Sequence, residues 1–157
     1  MDLDRGLRMT TEPLQIVAYG LPAPQGSKRF VGLSKAGRGL MVESSAKVKP
    51  WREAVKHAAL AMLQARGSPP PMDGPLQVTM AFTLPKPKSA PKRRRTWPDR
   101  TPDLSKLIRA TEDALTDAGV WADDARVVQL VATKNYPTEG VRALHCPGVW
   151  VRVEGVV

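Results

Sequence analysis

A single cysteine in 157 residues removes the chemistries that need several. Cys146 has no thiol partner for an internal disulfide, no second thiolate for a zinc site and no convincing histidine to activate it. It reads as a small apolar side chain before Pro147. Histidine is nearly as scarce: His57 falls beside the buried face of a helix and His145 precedes Cys146, and both read as structural or surface residues rather than ligands. No apolar run approaches the ~18 residues of a spanning helix, and Met1 to Glu12 lacks the hydrophobic core of a signal peptide, so a cytoplasmic protein is expected. Acidic side chains are outnumbered 15 to 24, which leaves a net charge of +9. A balance of that sign says nothing about fold. It favours nucleic acid as a partner, and an anionic membrane surface less so.

The length suits one domain with a single core. Residues 1–12 carry no sustained period and read as a flexible N-terminus ahead of a domain spanning 13–157. Leu14, Ile16 and Ala18 alternate with Gln15, Val17 and Tyr19, a short strand stopped by Gly20 and Pro22. The glycine-dotted stretch from Pro24, carrying Lys28, Arg29, Lys35 and Arg38, reads as a loose hairpin whose second arm is Leu40 to Glu43. From Lys47 to Arg66, Trp51, Ala54, Val55, Ala58, Met62 and Ala65 recur at helical spacing, with Pro50 in the first turn and Gly67 at the end. Trp51 is a core residue on this reading. Leu76, Val78, Met80, Phe82 and Leu84 then line one face of a half-buried strand. A second helix carries the stripe Leu104, Leu107, Ile108, Thr111, Leu115 and Ala118 and stops at Gly119. Strands at Arg126 to Lys134 and Gly148 to Glu154 complete an α/β fold in which a small mixed sheet packs against two main helices. There is no internal repeat.

Two neighbouring segments carry opposite charge. Pro85 to Arg100 holds seven basic residues, and Thr101 to Val128 holds six of the fifteen acidic ones. Gathered carboxylates need a cation or a proton, whereas phosphate needs the opposite sign, so the pair suggests a metal-dependent enzyme acting on nucleic acid. Five prolines between Pro85 and Pro102 make the basic segment an extended, exposed loop. Lys92, Arg93, Arg94, Arg95 and Arg100 would grip phosphates there, and Trp97 would stack on an unpaired base or wedge a junction. A solvated linker is the bland alternative. For the acids it is that Asp103 is only an N-cap and Asp123–Asp124 a turn pair. Asp103 and the pair flank a helix of about 15 residues, ~22 Å long, so periodicity alone does not bring them together.

The segment PDLSKLIRATEDALTDAGVWADDARVV resembles the signature of the RusA-type Holliday-junction resolvases, a pattern of D-L-D-N-L-x-K, then D-A-L, then W-x-D-D-A-Q-V. The spacing from Asp103 through Asp113-Ala114-Leu115 to Trp121 and Asp123-Asp124 is kept without a gap. GLPAPQGSKRF and KPWREAV are weaker echoes of phage-encoded members. The resemblance implies a small α/β homodimer that nicks four-way DNA junctions symmetrically with Mg2+, or with Mn2+ in its place. It puts metal-binding aspartates on Asp103 and Asp124, with Asp123 beside the latter. Two positions depart from the pattern. Ser105 stands where the family has a second carboxylate, and Arg109 replaces its functional lysine. Arg109 keeps the positive charge and can clamp a phosphate, but it is a poor proton donor. Glu112, seven residues after Ser105, shares its helix face, yet the ~10 Å rise places it beyond shared ligation of one ion unless the substrate bridges. Asp113, four residues from Arg109, reads as its ion-pair partner in preference to a metal ligand. The competing functional class is a non-catalytic protein that binds branched DNA or RNA on the same scaffold.

Overall fold

The computed structural model describes residues 12–26, 28–33, 39–43 and 46–156, with 28–33 and 39–43 as backbone only. In chain order these form β1 (Leu14–Tyr19), β2 (Lys28–Leu33), β3 (Gly39–Glu43), α1 (Val48–Ala65), β4 (Leu76–Thr83), α2 (Leu104–Ala118), a 3-10 turn (Asp124–Arg126), β5 (Val127–Asn135) and β6 (Gly148–Gly155). β1, β6, β4 and β5 make a four-stranded sheet in that spatial order. β6 runs antiparallel to both β1 and β4, while β4 and β5 are parallel. β2 and β3 pair as a separate antiparallel hairpin, as the glycine pattern suggests, with a register shift between Phe30 and Gly32. The sequence expectation of a mixed sheet against two main helices is met.

Side-chain alternation fixes which face of the sheet is covered. Leu14, Ile16 and Ala18 of β1 and Leu76, Val78, Met80 and Phe82 of β4 are buried, whereas Val17 and Tyr19 are exposed. The covered face receives Val48, Trp51, Val55 and Ala59 from α1 and Leu107, Ala110, Thr111, Ala114, Leu115 and Ala118 from α2. Between the helices the Trp51 indole N–H donates to Thr111 Oγ1 at 3.3 Å, and Arg52 meets Asp117 at 3.2 Å. Truncating Trp51 or Phe82 in this core would cost roughly 3–5 kcal/mol, transfer and cavity contributions together. Among the described residues no helix is long and apolar enough to cross a membrane.

The parallel β4–β5 pair dictates the functional geography. Parallel neighbours need a crossover, so everything between them must cross from the C-terminal end of β4 back to the N-terminal start of β5. The basic loop leaves the end of β4, α2 makes the return, and the acidic turn delivers the chain into β5. Gly119 closes α2 with φ 81°, a left-handed conformation that other residues adopt at a cost. Its N–H and that of Val120 bond back to Thr116 and Leu115, a Schellman-type stop.

Candidate active site

Helix α2 begins at Asp103, which occupies the N-cap position with extended φ and ψ, yet its side chain makes no capping hydrogen bond. The carboxylate is exposed and lies 3.6 Å from Lys106 Nζ. Asp103 is therefore an N-cap in backbone only, and beyond the pairing with Lys106 its oxygens are not spent on the helix N-terminus. Lys134, near the end of β5, fixes the approach to the helix: its ammonium donates to the carbonyls of Arg100 and Pro102, both at 2.9 Å. Ser105 and Arg109 are exposed on the next turn, and Glu112 and Asp113 continue that stripe half-buried.

Trp121 builds the acidic turn. Its ring is buried, its N–H donates to Thr116 Oγ1 at 2.7 Å, and its backbone bridges to Met72. Ala122 N–H bonds to the Met72 carbonyl, so the chain leaves this anchor in a fixed direction. Asp123 follows, and its Oδ1 accepts from Ala125 N–H at 2.7 Å. That bond, with a proton shared from Asp124, holds the Asp123 carboxyl below the usual range. Asp124 moves the opposite way: partial desolvation, the bond to Asp123 and the nearby charges of Asp123 and Asp113 push it up. Glu112 is pushed up to about 7, by burial first and then by the charges of Asp124 and Asp113.

The fold thus gathers Glu112, Asp113, Asp123 and Asp124 onto one acidic surface. Arg109 does not neutralise it, because the expected Arg109–Asp113 pair is absent from the ion pairs of the described residues. Asp113 instead lies close enough to the acidic turn for its charge to raise Asp124. Asp103 and Ser105 stand apart from this surface: Asp103 is nine residues before Glu112, ~13 Å along the helix axis. Among the described residues no three His, Cys, Asp or Glu side chains stand where they could hold an ion together. His57, His145 and Cys146 are exposed, and Cys146 stands free in a surface segment before Pro147.

The basic segment is less free than its composition suggests. Lys92, Arg93, Arg94, Arg95 and Arg100 are all exposed, and Trp97 keeps 56% of its surface open. The Arg95 guanidinium lies 3.9 Å from the indole centroid, a cation–π contact that covers one face of the ring. Only the other face can receive a base. Lys28 and Arg29 fall on β2, whose side chains are not described; Lys35 and Arg38 lie outside the described residues.

With this geometry in view, one comparison decides the family. The family model for endodeoxyribonuclease RusA matches residues 20–154, almost the whole chain. The chain belongs to the RusA family. It is a crossover junction endodeoxyribonuclease, of a family that resolves Holliday junctions, binds branched DNA and depends on a divalent metal. No curated protein matches it.

Does a divalent metal suit this RusA chain? The donors available are carboxylate oxygens, the hard ligands that magnesium and manganese take. Burial and the charges of Asp124 and Asp113 raise Glu112, and desolvation, Asp123 and Asp113 raise Asp124, so a cation among them would be favoured. The residues fit. Sequence reasoning missed two of the residues that shape the surroundings, Lys134 and Glu139. A lone lysine at a strand end and a lone glutamate in a turn carry no local pattern, and only the tertiary path gives them their partners.

Proposed function

We propose that the chain is a magnesium-dependent Holliday-junction resolvase that makes paired symmetric nicks as a homodimer, in the cytoplasm of a phage or prophage host. The observation that carries this reading is the uncompensated acidic surface of Glu112, Asp113 and Asp124 on the same helix-and-turn unit whose start, Asp103, adjoins the basic loop. Asp103 and Asp124 would hold the ion, and Asp123 would brace Asp124 from the turn. Glu112, close to Asp124, would add a carboxylate on that side of the site, although its rise along α2 keeps it from taking the place of Ser105 itself. When bound, magnesium, or manganese in its place, supplies Lewis-acid polarisation of the scissile phosphate and makes bound water more acidic.

The chain's own residues do the rest. Arg109, exposed between Ser105 and Glu112, would stabilise the charge that builds on the phosphoryl oxygens, a role a guanidinium performs without giving up a proton. Lys92, Arg93, Arg94, Arg95 and Arg100 would hold the backbone of the arms, with Lys28 and Arg29 as a second basic surface. The ~13 Å of helix between Asp103 and Glu112, the neighbour of Asp124, supports the dimer. Two copies related by a two-fold axis, with their α2 helices antiparallel, would set Asp103 of each against Asp124 of the other, giving two sites for the two strands to be cut.

Nicking of a synthetic four-way junction, measured with Mg2+ and with EDTA, tests the proposal. Paired cuts that need the metal are expected. Ser105 favours one competing reading, a scaffold that binds branched DNA or RNA without cutting it; tight binding with no cleavage at any metal concentration would establish that reading instead.

A further inference from the structure

Glu139 sits in the turn after β5, some forty residues or more beyond the basic loop, yet both its oxygens are spent on that loop. Oε2 accepts from Lys86 Nζ at 2.8 Å, and Oε1 accepts the backbone N–H of Thr96 at 3.0 Å. Lys86 also donates to the Arg94 carbonyl at 3.3 Å, so one carboxylate ties the loop at its start, at Arg94 and at Thr96. The pair is well shielded, with side chains 17% and 18% exposed, unlike the open ion pairs elsewhere on the surface. Lys86 and Thr96 keep the Glu139 carboxyl below the usual range, so it stays charged. Gly140 allows the close fit: a Cβ there would overlap Asn135 Oδ1 and stand 3.3 Å from Arg95 Nη2.

We infer that Glu139 is a positioning residue for junction recognition, which holds Arg93, Arg94, Arg95 and Trp97 in one arrangement so that the loop reads branched DNA rather than any polyanion. The inference rests on the reading of the basic loop as the DNA-binding surface. Its content is a matter of sign. An acidic residue within a basic surface repels phosphate, so if Glu139 were only a charge, its removal would strengthen binding to every DNA alike. If it positions the loop, removal leaves duplex binding the same or tighter and weakens the junction complex.

The test uses the full chain with Glu139→Gln, which keeps an acceptor for Thr96 N–H, and Glu139→Ala, which keeps neither bond. Thermal unfolding confirms that both variants are folded. Native trypsin cleavage within Lys92 to Arg95 should accelerate roughly tenfold in Glu139→Ala and less in Glu139→Gln, the scale of a lost charge-assisted hydrogen bond. The ratio of four-way-junction to duplex affinity should fall in the same order. Lys86→Met should lower the ratio too, and combining it with Glu139→Gln should add little, since both break one tether. An unchanged ratio in folded Glu139→Ala overturns the inference, whether or not trypsin sensitivity rises. A wild-type protein with no junction preference would overturn the reading of the loop as a junction contact, and the inference would fall with it.

Discussion

Glu112 is the residue at which burial and neighbouring negative charges act together, both disfavouring the ionised carboxylate. With its carboxyl raised from 4.5 to about 7, it is protonated in both folded and unfolded chains at low pH. Between those two values the unfolded chain ionises while the folded chain resists, so stability is full below about pH 4.5 and declines as pH climbs towards 7. The group is half exposed, so solvent screening limits that loss to roughly 1–2 kcal/mol. Glu112→Gln should therefore match wild type near pH 4 and unfold several degrees higher near pH 8 in EDTA. Identical melting curves at both pH values would show that Glu112 does not face the acidic turn. With Mg2+ the advantage should shrink, because the cation supplies what protonation otherwise does. Ser105→Asp adds the carboxylate that the family pattern expects and should lower the Mg2+ concentration needed for half-maximal nicking; an equal or higher requirement would mean that position 105 does not face the ion.

At the scale of elements, the basic loop should govern affinity and α2 with its turn the chemistry. Changing Arg93, Arg94 and Arg95 together to alanine removes up to three phosphate contacts, so the slope of log K against log salt should shrink by up to ~2.7 on duplex arms. Trp97→Ala should instead reduce the preference for the junction with little change in slope, because stacking releases no counterions. Titrations on both substrates at several salt concentrations separate these outcomes, and an unchanged slope in the triple variant would return the loop to the status of a linker. Nearly all of the elements were legible in sequence, because strand alternation at Leu76 to Phe82 and helical spacing at Leu104 to Ala118 are local consequences of one buried face. Asp103, Asp123 and Asp124 were legible as motif positions, and their proposed part in the site comes from that motif. What was not legible depends on which segments become neighbours: Glu112 against Asp124, Glu139 under the loop, Lys134 at the mouth of α2, and Arg95 folded onto Trp97. Periodicity carries no information about such contacts, and i,i+4 arithmetic misassigned Asp113 to Arg109 because it ignores the turn that approaches from outside the helix.

For the whole molecule, the decisive question is whether Asp103 and Asp124 act within one chain or across two. Asp103→Asn and Asp124→Asn should each abolish cleavage and spare junction binding, since each removes a ligand charge without changing volume. Those results alone do not distinguish the two arrangements. Mixing does. If the site is shared across a two-fold axis, a heterodimer of the two variants assembles one site from the intact Asp103 of one chain and the intact Asp124 of the other, while its second site carries both lesions. Subunit exchange between two inactive proteins should then restore single-strand nicking of a four-way junction, to at most about one quarter of the wild-type nicking rate, because half the dimers at random exchange are mixed and each holds one working site of two. Paired cuts within one binding event should stay absent, and the nicked junction should accumulate. If each chain carries its own site, every site in the mixture lacks one aspartate and no nicking returns at any mixing ratio. Recovered nicking would establish that the 15-residue helix α2 spans between two active sites rather than lying inside one.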